Sequence, residues 1–191
     1  DIKTSVVILN WNGKNLLEHF LPQVIEHTQS EKSRVIVADN GSTDDSVYFM
    51  QINFPEIQLI TLNNNYGFAD GYNKALLQID SEYVVLLNSD VETTPGWLDE
   101  LISYMDNNPE VAAVQPKILS YKEKHKFEYA GASGGYIDRF GYPFCRGRIL
   151  DKVEEDMGQY DKETPIFWAT GACFCIRKKD FTEVGGLDGR F

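Results

Sequence analysis

Four polar clusters, Asn10-Trp11-Asn12-Gly13, Asp39-Asn40-Gly41-Ser42, Asn63-Asn64-Asn65-Tyr66-Gly67 and Asn88-Ser89-Asp90, each follow a short apolar run. Side-chain amides and carboxylates at such positions can hydrogen-bond a nucleoside base or ribose, and a carboxylate can hold a hard cation against phosphate oxygens. Asp90 is the foremost cation candidate. The five apolar residues before it, Tyr83-Val84-Val85-Leu86-Leu87, read as a strand buried on both faces. Mg²⁺ or Mn²⁺ takes one or two carboxylates and fills its other positions with water and substrate phosphates, so Asp90 at a strand end could supply one such ligand. The alternative is that Asp90 only opens a turn before Thr94-Pro95. Asp39 is open in the same way, between base or ribose recognition and an Asx turn or helix cap.

These residues need elements that hold them together. The apolar runs over residues 5–9, 34–38, 57–62 and 83–87 read as strands. Leu16, Leu17, Phe20, Leu21, Val24 and Ile25 recur at helical spacing and predict an amphipathic helix over residues 14–29. Ser42 is suited to cap a second helix whose first turn carries Asp44 and Asp45. Phe68, Ala69, Tyr72, Ala75, Leu76 and Ile79 mark a third. Thr94-Pro95 predicts the start of a fourth, with threonine as cap and proline at the first helical position; its stripe is Trp97, Leu98, Leu101, Ile102 and Met105, and Asn107-Asn108-Pro109 stops it. Four strand-helix units in succession predict an α/β fold with a mostly parallel, doubly wound sheet and helices on both faces. The four polar clusters then share one edge and converge on one crevice.

Beyond residues 111–114 the rhythm changes. Residues 126–136 read as short strands or a hairpin, 151–164 as a polar, mobile loop, 166–176 as an apolar run around Thr170-Gly171-Ala172, and 177–184 as a short helix before a glycine-rich turn. At 191 residues the chain fits a single domain. A net charge of −11 argues against a nucleic-acid partner but not against a nucleotide held through a cation. No G-x-G-x-x-G, G-x-x-x-x-G-K-[ST] or G-x-S-x-G motif is present, and His19, His27 and His125 are scattered, so oxidoreductase, P-loop, serine hydrolase and histidine-metal chemistry lose ground. Cys145, Cys173 and Cys175 read as reduced core residues. No apolar run approaches the ~20 residues that span a bilayer, and a cytoplasmic location is the default.

The ordered set Val6-Val7-Ile8-Leu9-Asn10-Trp11-Asn12-Gly13, Asp39-Asn40-Gly41-Ser42-Thr43-Asp44, Asn65-Tyr66-Gly67-Phe68-Ala69-Asp70-Gly71-Tyr72-Asn73 and Leu86-Leu87-Asn88-Ser89-Asp90 resembles the inverting family 2 glycosyltransferases of the GT-A fold. Gly171-Ala172, Ile176-Arg177 and Val184-Gly185-Gly186-Leu187-Asp188 continue the resemblance over nearly the whole chain. It implies inverting, metal-dependent transfer of a sugar from a nucleoside-diphosphate sugar to a glycan or lipid-linked acceptor, in cell-surface polysaccharide biosynthesis. It further implies that Asp39 recognises the base, that Asn10 and Trp11 line the base pocket, and that Asp90 meets the metal and diphosphate.

The first acid of the family's D-x-D motif is here Asn88, which cannot add charge and is assigned to ribose or donor sugar. That variant resembles the Asn-x-Asp branch of rhamnosyl- and galactofuranosyl-type transferases and suggests a dTDP- or UDP-linked donor. Gly67 and Asn73 are assigned to the donor side, although the glycine could simply help a helix start and Asn73 could be solvated. Gly171 falls near the donor phosphates. Trp168 and Thr170 fall near the acceptor, with a core role as the alternative for the tryptophan.

The family's general base follows the Gly-Gly-x-Asp turn, which places it past Phe191, and no catalytic base is identified within the chain. The expectation is therefore a truncated transferase domain. Residues 1–110 form its nucleotide-sugar-binding half and 111–191 begin its acceptor half, with little or no transfer by this chain alone. A full-length parent could touch the inner face of a membrane. The competing readings are a non-catalytic nucleotide- or glycan-binding module ending at Phe191 and, less well supported, a nucleotidyltransferase.

Overall fold

The computed structural model describes residues 1–129 and 131–190. Ala130, within the stretch read as short strands or a hairpin, and Phe191, the bound set for the domain, lie outside the described residues. The chain runs β1 (Thr4–Asn10), α1 (Lys14–Glu26), β2 (Ser33–Asn40), α2 (Ser46–Asn53), β3 (Gln58–Leu62), α3 (Gly67–Leu76), β4 (Tyr83–Leu87) and α4 (Trp97–Asn107). A short β5 (Ala113–Val114) follows, then β6 (Gly135–Ile137), β7 (Pro143–Cys145), β8 (Arg148–Ile149) and β9 (Lys152–Val153). The last elements are β10 (Cys173–Arg177) and α5 (Lys178–Glu183).

The main sheet has the order β3-β2-β1-β4-β10-β5. Its first four strands are parallel, as the successive strand-helix units require, and β10 and β5 add an antiparallel flank. A second sheet, β6-β7-β8-β9, is an antiparallel meander. The molecule is thus an α/β GT-A fold: a mostly parallel sheet carries helices on both faces, and a hairpin-rich part follows.

Alternation along each strand builds two cores. Val6, Ile8, Val35, Val37, Val85 and Leu87 pack one face against Leu17, Leu21 and Val24 of α1, Met50 of α2, and Leu98 and Met105 of α4. Val7, Ile36, Ala38, Ile60, Val84 and Leu86 pack the other against Tyr72, Ala75 and Leu76 of α3 and Phe181 of α5. At roughly 25 cal/mol per Å² of apolar area removed from water, these buried side chains anchor the sheet. Cys173 and Cys175 join the first core as free thiols. Burial pushes both thiols upward, Cys175 to about 12, so neither supplies a thiolate near neutral pH.

Local starts differ from expectation at two helices. The second helix begins at Ser46, not behind a Ser42 cap, because the Ser42 hydroxyl is taken by the backbone N–H of Asn12 at 2.9 Å. The fourth begins at Trp97, after Gly96 in the left-handed region at φ 77°, so Thr94 is not its cap and Pro95 is not its first residue. The Trp97 N–H instead closes a turn on the Thr94 carbonyl at 3.2 Å. The α4 stripe itself packs as its spacing predicts. The polar stretch after residue 150 makes contacts with earlier parts of the chain: Lys117 reaches Asp156 and Asp161, each at 2.6 Å, and the Phe127 N–H donates to the Glu154 carbonyl at 3.2 Å.

Candidate functional site

The chain starts in the middle of the sheet, moves outward to β3, and returns to the far side of β1 as β4. That reversal opens a crevice at the carboxyl ends of β1 and β4, where open α/β sheets take ligands. Asn10 and Asp39, at the ends of β1 and β2, are register partners. Because β10 runs antiparallel with Cys173 opposite Leu87, the Thr170-Gly171-Ala172 segment preceding it reaches the same edge. The Asn88 N–H extends this pairing to the Ala172 carbonyl at 3.0 Å.

Asparagines at the strand ends join successive loops. Asn10 Nδ2 donates to Asp39 Oδ1 at 3.0 Å and to the Ser42 hydroxyl at 3.2 Å, while Asp39 Oδ2 accepts the Ser42 N–H at 2.9 Å. Asn12, left-handed at φ 51°, accepts the Thr43 and Asp44 N–H groups at 2.7 and 3.2 Å through Oδ1. Asn40 makes the next link. Its Nδ2 donates to Asn65 Oδ1 at 3.0 Å and to the Gly67 carbonyl at 2.9 Å, and its Oδ1 accepts the Tyr66 N–H at 3.0 Å. Burial raises the Asp44 carboxyl, but hydrogen bonds from Ser46 and the Lys14 N–H outweigh it and hold the group below the ordinary carboxylate range.

Asn10 and Asp39 are both buried, and Asn10 Oδ1 is buried without a hydrogen-bond partner among the described residues. An unpaired buried carbonyl costs about 1–3 kcal/mol, so a ligand N–H reaching it would be favoured. Gly13 leaves this atom room, since a Cβ there would stand 2.4 Å from it. Trp11 is exposed beside the pair.

On the other side of the crevice Asn88 is half-buried and Asp90 exposed. Among the described residues the Asp90 carboxylate has neither a hydrogen-bond nor an ion-pair partner, and no cluster of three His, Cys, Asp or Glu side chains could hold a metal. One uncommitted carboxylate at a strand end fits a Mg²⁺- or Mn²⁺-type ion that draws its other ligands from water and phosphate. It does not fit a site built wholly from protein.

The remaining assigned residues divide by what they touch. Gly67, at φ 73°, opens α3, and its N–H donates to Asn65 Oδ1 at 2.8 Å. Gly171 lies under the exposed Phe68 ring, whose Cζ would be 2.8 Å from a Cβ there. Thr170 is buried; its N–H donates to Gln115 Oε1 at 2.9 Å and its hydroxyl accepts the Ala172 N–H at 3.2 Å. Asn73 grips the glycine-rich turn, donating to the Leu187 carbonyl at 2.8 Å and accepting its N–H at 2.9 Å. Trp168 covers Gly135, packs on the Phe127–Cys145 core and donates Nε1–H to the Tyr136 carbonyl at 2.9 Å.

The loop-joining roles of Asn12, Asn40 and Ser42, and Phe68 over Gly171, were not read from the sequence. The recurrence of asparagine at the strand ends was their available signal. A cleft of about 810 Å³ runs between α4 and residues 160–166, and Gln115, which accepts the Thr170 N–H, is among its lining residues.

A sheet reversal with amide and carboxylate loops converging at its strand ends is the ligand crevice of an open α/β fold. A family model described as glycosyl transferase family 2 matches residues 5–185, and the chain belongs to that family. It is 26% identical to an N-acetylglucosaminyl-diphospho-decaprenol L-rhamnosyltransferase of Mycobacterium tuberculosis, over 97% of this chain and 65% of the relative. It is 27% identical to the O-antigen biosynthesis protein RfbC of Myxococcus xanthus, over 99% of this chain and 15% of the relative. Among solved structures, it resembles the mannosyltransferase PcManGT of Pyrobaculum calidifontis, in complex with GDP-Man and Mn²⁺, with a TM-score of 0.66 and 16% identity. That match covers 98% of this chain and 48% of the mannosyltransferase. The chain therefore spans less than two thirds of each of these proteins.

Proposed function

We propose that this chain is the donor-binding domain of a glycosyltransferase that moves a sugar from a nucleoside-diphosphate sugar to a lipid-linked or glycan acceptor, with inversion and with a divalent cation. The observation that carries the reading is the crevice itself, closed around the buried Asn10–Asp39 pair and leaving Asn10 Oδ1 unpaired. The ring N–H of uracil or thymine is a donor of the kind that amide and carboxylate oxygens at these strand ends accept, which supports a UDP- or dTDP-linked donor. Trp11 would flank the base, and Asn88, anchored through its backbone to Ala172, would face ribose or donor sugar.

Asp90 would hold the cation, whose charge stabilises the departing diphosphate. Gly67 and the Gly171 turn under Phe68 border the path of the donor, and Thr170 and Trp168 the acceptor side. Residues 1–110 form the nucleotide-sugar half and 111–191 begin the acceptor half. The general base that deprotonates the acceptor hydroxyl is not assigned to any side chain of this site. Asp188 is already paired, with Arg190 Nη2 at 2.6 Å. A cytoplasmic location suits a nucleotide-sugar donor; among the described residues no helix is long and apolar enough to cross a membrane.

Calorimetric titration of UDP and dTDP with and without Mn²⁺ tests the reading. Metal-dependent binding of at least one is expected, and binding of neither would overturn it. Donor binding without sugar transfer to any acceptor would favour a non-catalytic module instead.

A further inference from the structure

The β6–β9 meander carries an unusual surface for so acidic a chain. In an antiparallel meander the first and third turns lie at the same end, so the β6–β7 turn over residues 138–142 and the β8–β9 turn over 150–151 are neighbours. That end exposes Phe140 and Tyr142 at 70% each and Leu150 at 82%, with Ile137 and Ile149 also exposed behind them. Leu150 sits in the left-handed region at φ 54°, where glycine or asparagine would be unstrained. Five large apolar side chains at one sheet end exceed the scattered exposure normal for a surface.

Charge says what could cover them. At these two turns and beside them stand three basic side chains, Arg139, Lys152 and Arg148, whose Nε donates to the Leu150 carbonyl at 3.2 Å, and two acidic ones, Asp138 and Asp151, in a chain of net charge −11. The Asp138 carboxylate is engaged within its own turn, accepting the Phe140 and Tyr142 N–H groups at 2.8 and 2.9 Å. Arg139 lies 4.6 Å from the Phe140 ring and Arg148 4.8 Å from Tyr129, so cations alternate with aromatic rings. A protein partner complementary to most of this molecule would be basic, whereas this end calls for an apolar medium bordered by negative charge. A bilayer with anionic headgroups has that composition, with aromatic rings at the headgroup level and Arg or Lys on the phosphates.

We propose that the β6–β7 and β8–β9 turns form a membrane-docking tip, with Phe140, Tyr142 and Leu150 entering the interface of an anionic bilayer and Arg139 and Lys152 meeting its phosphates. The inference rests on the reading of the acceptor as lipid-linked. The tip joins the acceptor side directly, because β6 bridges to Trp168, two residues before Thr170. Docking there would hold the crevice beside the surface from which a lipid-linked acceptor is presented.

Co-sedimentation with phosphatidylcholine vesicles, with and without phosphatidylglycerol, tests the proposal, with UDP and dTDP titrated against the same protein. Binding to the anionic vesicles is expected, weakened by salt. It should fall about fivefold for Arg139→Ala and for Lys152→Ala, and on the order of tenfold or more for the triple change Phe140→Ser, Tyr142→Ser, Leu150→Ser. Leu150→Asn, which relieves the left-handed strain, should retain the fold and weaken binding alone. No binding to anionic vesicles, or binding indifferent to these changes, would overturn it. So would a concentration-dependent dimer in light scattering that the triple change dissolves, because a second copy would then be the partner. Donor binding that survives such a result would leave the transferase reading intact, and vesicle binding without donor binding would fail that reading instead.

Discussion

The two edges of the main sheet use polar residues in opposite ways. At the amino edge of β4 the charges satisfy one another. Lys3 Nζ lies 2.6 Å from Asp106 Oδ2, the Tyr83 hydroxyl donates to Asp106 Oδ1 at 2.8 Å, and Arg177 donates to that hydroxyl at 2.9 Å. Arg177 also donates to the carbonyls of Met105, Asn108 and Val111, closing the end of α4. Burial and the Asp106 carboxylate push the Tyr83 hydroxyl up to about 12, so it stays a donor. At the carboxyl edge amides fasten loop to loop, while Asn10 Oδ1 and Asp90 stay unpaired among the described residues. One edge holds the fold closed. The other keeps hydrogen-bonding capacity for a ligand.

Substitutions should separate the two. Arg177→Ala removes the hydrogen bonds donated to the Tyr83 hydroxyl and to three backbone carbonyls, and is expected to lower stability by about 3 kcal/mol in urea denaturation while leaving nucleotide affinity of the folded protein unchanged. Asn40→Ala cuts the joint between the second and third loops. It should cost about 2 kcal/mol and, unlike the first change, also weaken nucleotide binding severalfold. Gly13→Ala forces Asn10 Oδ1 aside, so nucleotide affinity should drop with a stability change of about 1 kcal/mol or less, read by calorimetry beside thermal unfolding.

The smallest effect is the pH dependence of the amino edge. Burial alone would raise the Asp106 carboxyl, but bonds from Lys3 and Tyr83 prevail and hold it below its ordinary value. A carboxyl depressed in the folded state contributes stability above its unfolded pKa of about 3.9 and loses it as pH falls through the lower folded value. Asp106→Asn should therefore be less stable than the native chain at neutral pH, by under about 1 kcal/mol given the exposure of the pair, and the gap should close below about pH 4.

The sheet was legible because buried parallel strands are short continuous apolar runs and their crossover helices repeat at 3.6 residues. Asn10, Asp39, Asn88 and Asp90 could be set on one edge from that pattern alone. Less legible was anything decided by contacts between distant residues. Ser42 has the chemistry of a helix cap, but the Asn12 N–H claims it, and Gly96 displaces Thr94-Pro95 from the start of α4. The antiparallel placement of β10 depends on pairing with β4, far away in sequence, and Trp168 joins the meander because Gly135 leaves space for its ring. Neither event leaves a local period to read.

The central claim is that the carboxyl edge holds a nucleotide through a cation on Asp90. Its most direct test is calorimetric titration of UDP or dTDP, with and without Mn²⁺, against the native chain and Asp90→Ala, with thermal unfolding as the control. The account predicts unchanged unfolding and loss of the affinity gained from Mn²⁺ in the variant. An Asp90→Ala protein whose binding still strengthens with Mn²⁺ as the native chain's does would contradict it.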